Sequence, residues 1–212
     1  MQRRLNLGKI AKGVLAGIAC LWSLGLAGQE TTNEDSFGAQ IFLPSIEIGY
    51  VGNSADELSG GVLVKTSIEY RVRNNNDIFF RINYDNSTAD YTLDPVNAIT
   101  NVIEGTASFN DLLLGAGYRF GDKKLRTFIM LQAGIKYYNF PEFTQTNSVI
   151  SIAQGRNNAF STRATIGFEY YFTEKSAFSL DLLQNQVWDK QDFWRESGSA
   201  YGFSVGFITS LF

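Results

Sequence analysis

Hydrophobic and polar residues alternate strictly along most of the chain after residue 37. The segment 62–73 is the clearest case: its even-numbered positions run from Val62 to Val72 and are almost all apolar, whereas its odd-numbered positions include Lys65, Ser67 and Arg71. A period of two belongs to β-strands, because successive side chains of a strand point to opposite faces. The pattern therefore predicts a strand with one apolar and one charged face.

The same alternation recurs at seven other places, and no stretch longer than a few residues has the spacing of an amphipathic helix. The predicted strands are residues 40–51, 62–73, 78–85, 106–120, 127–138, 160–172, 177–187 and 200–212. In the first of them, Phe42, Ile46, Ile48 and Tyr50 form the apolar face and Glu47 lies on the other. The chain is therefore predicted to be all-β, with eight antiparallel strands.

The predicted connections alternate in length. Residues 74–77, 121–125 and 173–175 are short and polar, as tight hairpin turns require, whereas residues 52–60, 86–105, 139–158 and 188–199 are longer. Outer-membrane barrels have this asymmetry, with short turns on one side of the membrane and long loops on the other. The connections favour an up-and-down transmembrane β-barrel, whose first and last strands must pair because an open sheet edge is excluded in lipid.

The apolar faces are expected to point outward to lipid and the charged faces into the lumen. The apolar faces are about five residues long, which suits tilted strands of roughly 9–11 residues that cross a bilayer. The opposite faces carry both signs of charge, and in a narrow eight-stranded lumen these groups have to pair. The predicted lumen ionic network, a candidate gate or structural plug, consists of Glu47, Lys65, Glu69, Arg71, Arg81, Asp85, Asp111, Arg119, Lys136, Arg163, Glu169 and Asp181. Six inward glycines are expected to leave room for the arginine side chains: Gly115, Gly117, Gly134, Gly167, Gly202 and Gly206.

The composition of the chain narrows the range of functions that we expect. The chain has 18 basic and 21 acidic residues and no basic patch on one face, so nucleic acid is not an expected partner. It has no histidine, which is the side chain best suited to proton transfer near neutral pH and the commonest metal ligand. Its single cysteine, Cys20, lies in the amino-terminal segment. We therefore expect no catalytic residue, no cofactor and no metal site.

The first 27 residues have the layout of a secretory signal peptide, in which a positive region precedes an apolar one. The positive region contains Arg3, Arg4, Lys9 and Lys12, and residues 13–28 are uncharged. Small residues predict cleavage after Ala27, which leaves a polar leader at 28–37 and a barrel at 38–212. Two alternatives are a retained membrane anchor and a lipoprotein modified at Cys20.

The segment 115–120 reads Gly-Ala-Gly-Tyr-Arg-Phe and leads into a Gly-Asp turn, and the last alternating strand ends at Phe212. With the eight-strand pattern, these features resemble the small outer-membrane β-barrels of Gram-negative bacteria, the OmpA/OmpX-like group. The resemblance covers the whole predicted mature chain and implies residence in the outer membrane. It also implies that Phe207, Leu211 and Phe212 form an assembly signal read by the barrel insertion machinery, although Thr209 interrupts the alternation and Phe212 is one step out of phase.

The leading functional hypothesis is a non-enzymatic scaffold in outer-membrane lipid, whose loops serve adhesion, contact with an extracellular ligand or envelope stability. Candidate loop contacts are Tyr91, Phe140, Phe143, Trp188, Phe193 and Trp194. One alternative is a narrow channel or small-solute conduit gated by the lumen charges, and another is a secreted lipocalin-like carrier with an apolar interior. A barrel enzyme is disfavoured, because the known hydrolytic members commonly use histidine.

Overall fold

The computed structural model describes residues 40–44, 46–54, 58–72, 75–93, 103–146, 149–188 and 198–210. The predicted signal peptide and leader lie outside the described residues. The strands are β1 (Gln40–Pro44), β2 (Glu47–Asn53), β3 (Gly61–Val72), β4 (Asn75–Leu93), β5 (Ile103–Gly121), β6 (Leu125–Thr146), β7 (Val149–Thr173), β8 (Ser176–Val187) and β9 (Gly198–Ser210). Among these described segments there is no helix that is long and apolar enough to span a membrane.

The strands close into a barrel. Each strand from β3 to β8 pairs antiparallel with the next one along the chain. Both β1 and β2 pair with β3 on one side and with β9 on the other, so the two short strands together fill one position in the wall. The prediction of an eight-stranded up-and-down barrel is therefore confirmed, with its first strand in two pieces.

An extra residue between β1 and β2 explains the break. Phe42 pairs with Glu69 and Glu47 pairs with Lys65, so five steps along the first strand face four steps along β3. An inserted residue of this kind is a β-bulge, and it moves side chains on one side of it to the other face. The assignment of Phe42 to the outer face was wrong: its side chain is inside the barrel and 1% exposed.

The three short turns lie at one end of the barrel, which we call the turn end. The β5–β6 turn begins at Gly121, whose φ of 117° favours glycine. At the other end, the loop end, the long connections differ from the prediction. Strands β4 and β5 pair as far as Leu93 and Ile103, and β6 and β7 pair as far as Thr146 and Val149. Most of the predicted loops 86–105 and 139–158 is therefore paired strand, and we call these paired parts the wall extensions.

The sequence pattern misplaces these loops because the outward-facing residues become polar before the strands end. On β4 the outward position after Tyr84 is Asn86, and on β5 Asn110 lies one outward position before Leu112, toward the loop end. The hydrophobic period stops at this level, but the backbone ladder continues beyond it. A pattern of hydrophobicity marks where a strand leaves the apolar band, and it does not mark where hydrogen bonding ends.

The predicted polarity of the wall is confirmed in the described strands. Leu114 on the outer face is 59% exposed, whereas Arg119 on the inner face of the same strand is 0% exposed. The outward apolar run of β5 extends from Leu112 to Phe120. Eight steps of ~3.4 Å make ~27 Å along the strand, or ~20 Å along the barrel axis at a tilt of ~40°, close to the ~25 Å apolar band of membrane barrels. A lipocalin-like carrier would need the opposite polarity.

Candidate functional site

The candidate site is the lumen, which holds all twelve of the ionisable residues predicted to face it. They come from seven consecutive strands, β2 to β8, and every one is buried. The set has six carboxylates and six cationic groups, and each of the twelve has at least one ion-pair partner. The structure thus brings the predicted residues into mutual contact and balances their charge.

Ion pairing divides the twelve residues into two groups. The larger group, the turn-end ion cluster, consists of Glu47, Lys65, Glu69, Arg71, Arg81, Arg119, Glu169 and Asp181. The smaller group, the loop-end ion cluster, consists of Asp85, Asp111, Lys136 and Arg163. The first has four charges of each sign and the second has two of each, so each cluster is neutral by itself.

Glu69 is the centre of the turn-end ion cluster. Its carboxylate accepts hydrogen bonds from Arg71 Nε at 2.7 Å, from Arg81 Nη2 at 2.6 Å and from Arg119 Nη2 at 2.9 Å. Three guanidinium groups around one buried carboxylate would repel one another without it. Glu169 shares the excess charge, because its Oε1 accepts from Arg119 Nη2 at 2.8 Å.

Lys65 joins the cluster to the opposite wall. Its ammonium group lies 2.6 Å from Glu47 Oε2 and also contacts the carboxylate of Asp181. Arg81 Nη1 lies 3.6 Å from the same Asp181 carboxylate. Since Lys65 is on β3 and Asp181 is on β8, this contact crosses the lumen between strands that are not neighbours in the wall.

The loop-end ion cluster is built around Asp111. Lys136 Nζ lies 2.7 Å from Asp111 Oδ2 and Arg163 Nη2 lies 3.6 Å from the same atom. Arg163 also contacts Asp85 and donates from Nε to Asn185 Oδ1 at 2.5 Å. On β4, Asn83 occupies the inward position between Arg81 of the larger cluster and Asp85 of the smaller one.

Aromatic rings support the guanidinium groups from the sides. Phe79 and Phe128 meet edge to face with ring centroids 5.4 Å apart. The guanidinium carbon of Arg119 lies 4.5 Å from the Phe79 centroid, and that of Arg71 lies 3.4 Å from the Phe42 centroid. Cations over ring faces are attracted by the ring quadrupole, most strongly where water is excluded. These three phenylalanines are missing from the predicted site, although the alternation of β4 places Phe79 on the inward face.

The inward glycines make room for other groups than arginine. A Cβ added at Gly117 would lie 2.3 Å from Phe79 Cζ, and one at Gly167 would lie 2.0 Å from Phe128 Cζ. At Gly206 the nearest atom is Glu47 Cγ, and at Gly115, Gly134 and Gly202 it is a backbone oxygen of the next strand. The expectation about arginine was wrong, because phenylalanine rings occupy the space at two of these glycines and the neighbouring strand or Glu47 lies nearest at the other four.

An apolar cluster fills the lumen above the loop-end ion cluster. Its members come from the loop-end parts of β4 to β8 and from the segment before β3, and all are buried: Leu58, Ala89, Tyr91, Ala107, Phe109, Tyr138, Ala159 and Val187. Lys136 Nζ lies 5.4 Å from the ring centroid of Phe109, so the two levels are in contact. This cluster was not predicted, since its residues lie where the sequence indicated loops or strand ends.

The candidate loop contacts have different locations. Tyr91 is a member of the apolar cluster and 9% exposed, so it is not available to a partner. Trp188 is 49% exposed, and its Nε1 donates to Thr162 Oγ1 at 2.9 Å. Phe140 and Phe143 belong to β6 by their backbone, while Phe193 and Trp194 lie outside the described residues.

Of the predicted assembly signal, only Phe207 lies within the described chain. Its ring is on the outer face, stacked against Phe172 at a centroid distance of 5.6 Å and edge-on to Phe178 at 6.0 Å. Leu211 and Phe212 lie beyond the described residues. The role of these three residues in assembly stays a prediction.

The chemistry of the lumen is that of a closed electrostatic assembly. Its carboxylates are engaged by guanidinium and ammonium groups, and the chain has no histidine to act as a base near neutral pH. Within the described part of the chain, no group of three or more His, Cys, Asp or Glu side chains is arranged to hold a metal ion. The arrangement is suited to holding the barrel walls together.

Comparison with known proteins finds similarity in structure alone. No family model matches the sequence, and no curated protein matches it either. Among solved structures, Neisserial surface protein A has a TM-score of 0.54 at 12% identity over 82% of this chain and 99% of its own. The Ail protein of Yersinia pestis with sucrose octasulfate, a heparin analogue, has a TM-score of 0.46 at 13% identity over 82% and 100%. The outer membrane protease OmpT of Escherichia coli has a TM-score of 0.43 at 8% identity over 86% and 99%.

The likeness to Neisserial surface protein A establishes the class by fold, because its TM-score exceeds 0.5 over almost the whole of that protein. The chain has the fold of the small outer-membrane β-barrels, as its sequence pattern predicted. An identity of 12% supports the architecture and nothing about activity, since one fold serves many functions.

Proposed function

We propose that this chain is a non-enzymatic outer-membrane barrel with a closed lumen, and that its wall extensions form a contact surface outside the membrane. The main support for a closed lumen is that side chains fill it. The turn-end ion cluster, the loop-end ion cluster and the apolar cluster occupy successive levels, and their members are buried. A conducting path would have to pass all three, and ion pairs that span the lumen leave little room for one.

The wall extensions support a role as a rigid platform. Beyond the apolar band, β4 pairs with β5 as far as Leu93 and Ile103, and β6 pairs with β7 as far as Thr146 and Val149. The apolar cluster packs inside the barrel at the base of these extensions and includes Tyr91 from the first of them. Paired strands that stand on a packed apolar cluster hold their paired residues in fixed positions, which is the property that a recognition surface on a scaffold requires.

The closed lumen is tested by electrical recording. Purified full-length protein is inserted into planar lipid bilayers, and its folded state is checked by the change of gel mobility on boiling. We expect no stepwise conductance, because the described lumen side chains pair across its width. Reproducible conductance steps from folded protein would refute the closed lumen and would support the channel alternative.

The contact surface is tested by shortening one hairpin without changing its register. Asn139 and Arg156 pair directly, so residues 140–155 can be replaced by Asn-Gly, which fits a two-residue hairpin turn. A second variant shortens the β4–β5 hairpin in the same way: Tyr91 and Gly105 pair directly, so residues 92–104 are replaced by Asn-Gly. Bacteria displaying each chain are compared for adhesion to host cells and matrix proteins.

We expect at least one shortened variant to lose adhesion while it keeps the heat-dependent gel mobility of the full chain. The wall below both cuts is unchanged, so folding should persist. Adhesion equal to that of the full chain in both variants would contradict a contact role for the extensions. Residence in the outer membrane would still hold, since fractionation tests it separately.

A further inference from the structure

The barrel closes where its first strand meets its last, and we call this contact the seam: β1 and β2 lie on one side of it and β9 on the other. The other neighbouring strands in the wall follow one another along the chain. A connecting turn helps to fix the register of a hairpin, but no turn joins the two sides of the seam. The register of the seam must therefore be set by side chains.

The backbone ladder of the seam is in two parts. Residues 42–44 pair with residues 208–210, and residues 48–53 pair with residues 200–205. Between the two parts lie residues 45–47 of the first strand and residues 206–207 of β9. The ladder is therefore interrupted at the bulge, and Glu47 lies at the interruption.

The inner face of β9 gives the seam little steric definition. Its inward residues beside β2 are small: Ala200, Gly202, Ser204 and Gly206. A shift of two residues along the seam keeps every side chain on its own face of the wall. Such a shift would bring no large inward group of β9 against β2, so the packing of small residues does not select one register.

Four buried residues meet across the seam, one from each of four neighbouring strands: Lys65 on β3, Glu47 on β2, Ser204 on β9 and Asp181 on β8. Ser204 Oγ donates to Glu47 Oε2 at 2.9 Å, and Lys65 Nζ lies 2.6 Å from the same oxygen. Lys65 also contacts the carboxylate of Asp181, beyond the seam. Gly206 leaves room for the Glu47 side chain, because a Cβ added there would lie 2.3 Å from Glu47 Cγ.

These contacts depend on the register of the seam. Ser204 lies directly opposite Asp181 on β8 and directly opposite Gly49 on β2. A shift of two residues along the seam would move Glu47 by ~7 Å relative to Ser204, and Lys65 by the same distance relative to Asp181. Both contacts would then be lost, and buried charges that lose a partner are costly.

We propose that Lys65, Glu47, Asp181 and Ser204 form a closure clasp, which selects the register in which the first strand joins the last. Lys65 and Asp181 are 116 residues apart in the chain, and Glu47 and Ser204 are 157 apart. Contacts between such distant residues form only when the ends of the sheet come together. The clasp acts in assembly, whether or not the lumen conducts and whatever the wall extensions bind.

The register is tested by disulfide formation on the outer wall. Tyr50 and Phe203 are directly opposed across the seam, so Tyr50→Cys with Phe203→Cys reports the native register. Tyr50→Cys with Tyr201→Cys or with Val205→Cys reports a shift of two residues, because diagonal positions are ~7–8 Å apart in the native register. Every chain also carries Cys20→Ser, which removes the one natural cysteine. Full chains are folded into lipid vesicles and oxidised, and the cross-linked fractions are compared.

The clasp is broken without a change of net charge by Lys65→Met with Asp181→Asn. We expect this variant to lose most of the native cross-link and to gain a shifted one. The matched control is Lys136→Met with Asp111→Asn, the same pair of changes in the loop-end ion cluster, where both residues belong to one hairpin. The control should keep the native cross-link and gain no shifted one.

A second reporter and a milder variant separate a shifted seam from a barrel that fails to fold. Leu114→Cys with Ala133→Cys, opposed within the β5–β6 hairpin, should cross-link in every folded variant. Ser204→Ala removes only the hydrogen bond to Glu47 and should give a smaller shifted fraction, whereas Ser161→Ala, at another fully buried serine, should give none. If the double variant loses the hairpin cross-link, the two serine variants decide. An unshifted seam in the folded clasp variants, or equal shifts in a clasp variant and its control, would overturn the proposal.

Discussion

Glu69→Gln is expected to destabilise the barrel strongly, although it changes the shape of one side chain hardly at all. Glu69 accepts from the guanidinium groups of Arg71, Arg81 and Arg119, and its side chain is 1% exposed. The variant leaves four cations and three carboxylates in the turn-end ion cluster. Removing one partner from a buried ionic network costs about 3–5 kcal/mol, because the remaining charges stay buried without compensation.

The free energy of unfolding is measured in lipid vesicles by urea titration, with tryptophan fluorescence and gel mobility as the two probes. Glu104→Gln is the matched control, since it is the same substitution at an exposed position on β5 and should cost less than about 0.5 kcal/mol. Glu69→Gln combined with Arg71→Gln restores neutrality and should cost less than the sum of the two single changes. A cost below about 1 kcal/mol for Glu69→Gln would refute the view that the cluster stabilises the barrel by charge balance.

Three further predictions concern the wall and the packing inside it. Leu114 lies on the outer face near the middle of the apolar band, so Leu114→Arg should lower the free energy of unfolding by about 2–4 kcal/mol in the same assay. The control is Ser108→Arg, which is outward on β5 beyond the band and should cost about 1 kcal/mol or less. Equal costs would contradict the outward assignment of Leu114. Gly167→Ala should destabilise the barrel because its Cβ would meet Phe128 Cζ at 2.0 Å, and Phe128→Leu in the same chain should recover part of the loss. The backbone amides of Tyr138 and Asn157, which lie in or beside a predicted loop but pair in the ladder, should exchange with deuterium as slowly as amides in the apolar band; rapid exchange there would show that the extension is not formed.

The barrel was predictable because the alternation of apolar and polar residues assigns side chains to the two faces even where the ends of a strand are uncertain. Leu114 and Arg119 point to opposite faces whatever the ends of β5, so the polarity of the wall follows from the sequence once closure is assumed. Phe42 is the exception. Its face depends on a single inserted residue, and the alternation on either side of a bulge does not reveal which residue is extra.

The candidate site was predictable as a set of residues but only partly as a set of pairs. Three pairs join directly opposed residues on neighbouring strands and follow from the hairpin register: Glu47 with Lys65, Glu69 with Arg81, and Asp111 with Lys136. The apolar cluster at the loop end was not predictable, because Tyr91 and Tyr138 become a core only when the extensions are paired.

Several other contacts join strands that are not neighbours, and these depend on closure of the barrel. Arg119 on β5 meets Glu169 on β7, Lys65 on β3 meets Asp181 on β8, and Arg163 on β7 meets Asp85 on β4. None of these pairs is on adjacent strands, so each ties separate parts of the wall together and is absent until those parts approach. Because both ion clusters contain such pairs and each is neutral by itself, neither cluster needs the other to offset its charge. The strand ladder therefore closes the wall, while the charges within it tie non-neighbouring strands together at two separate levels.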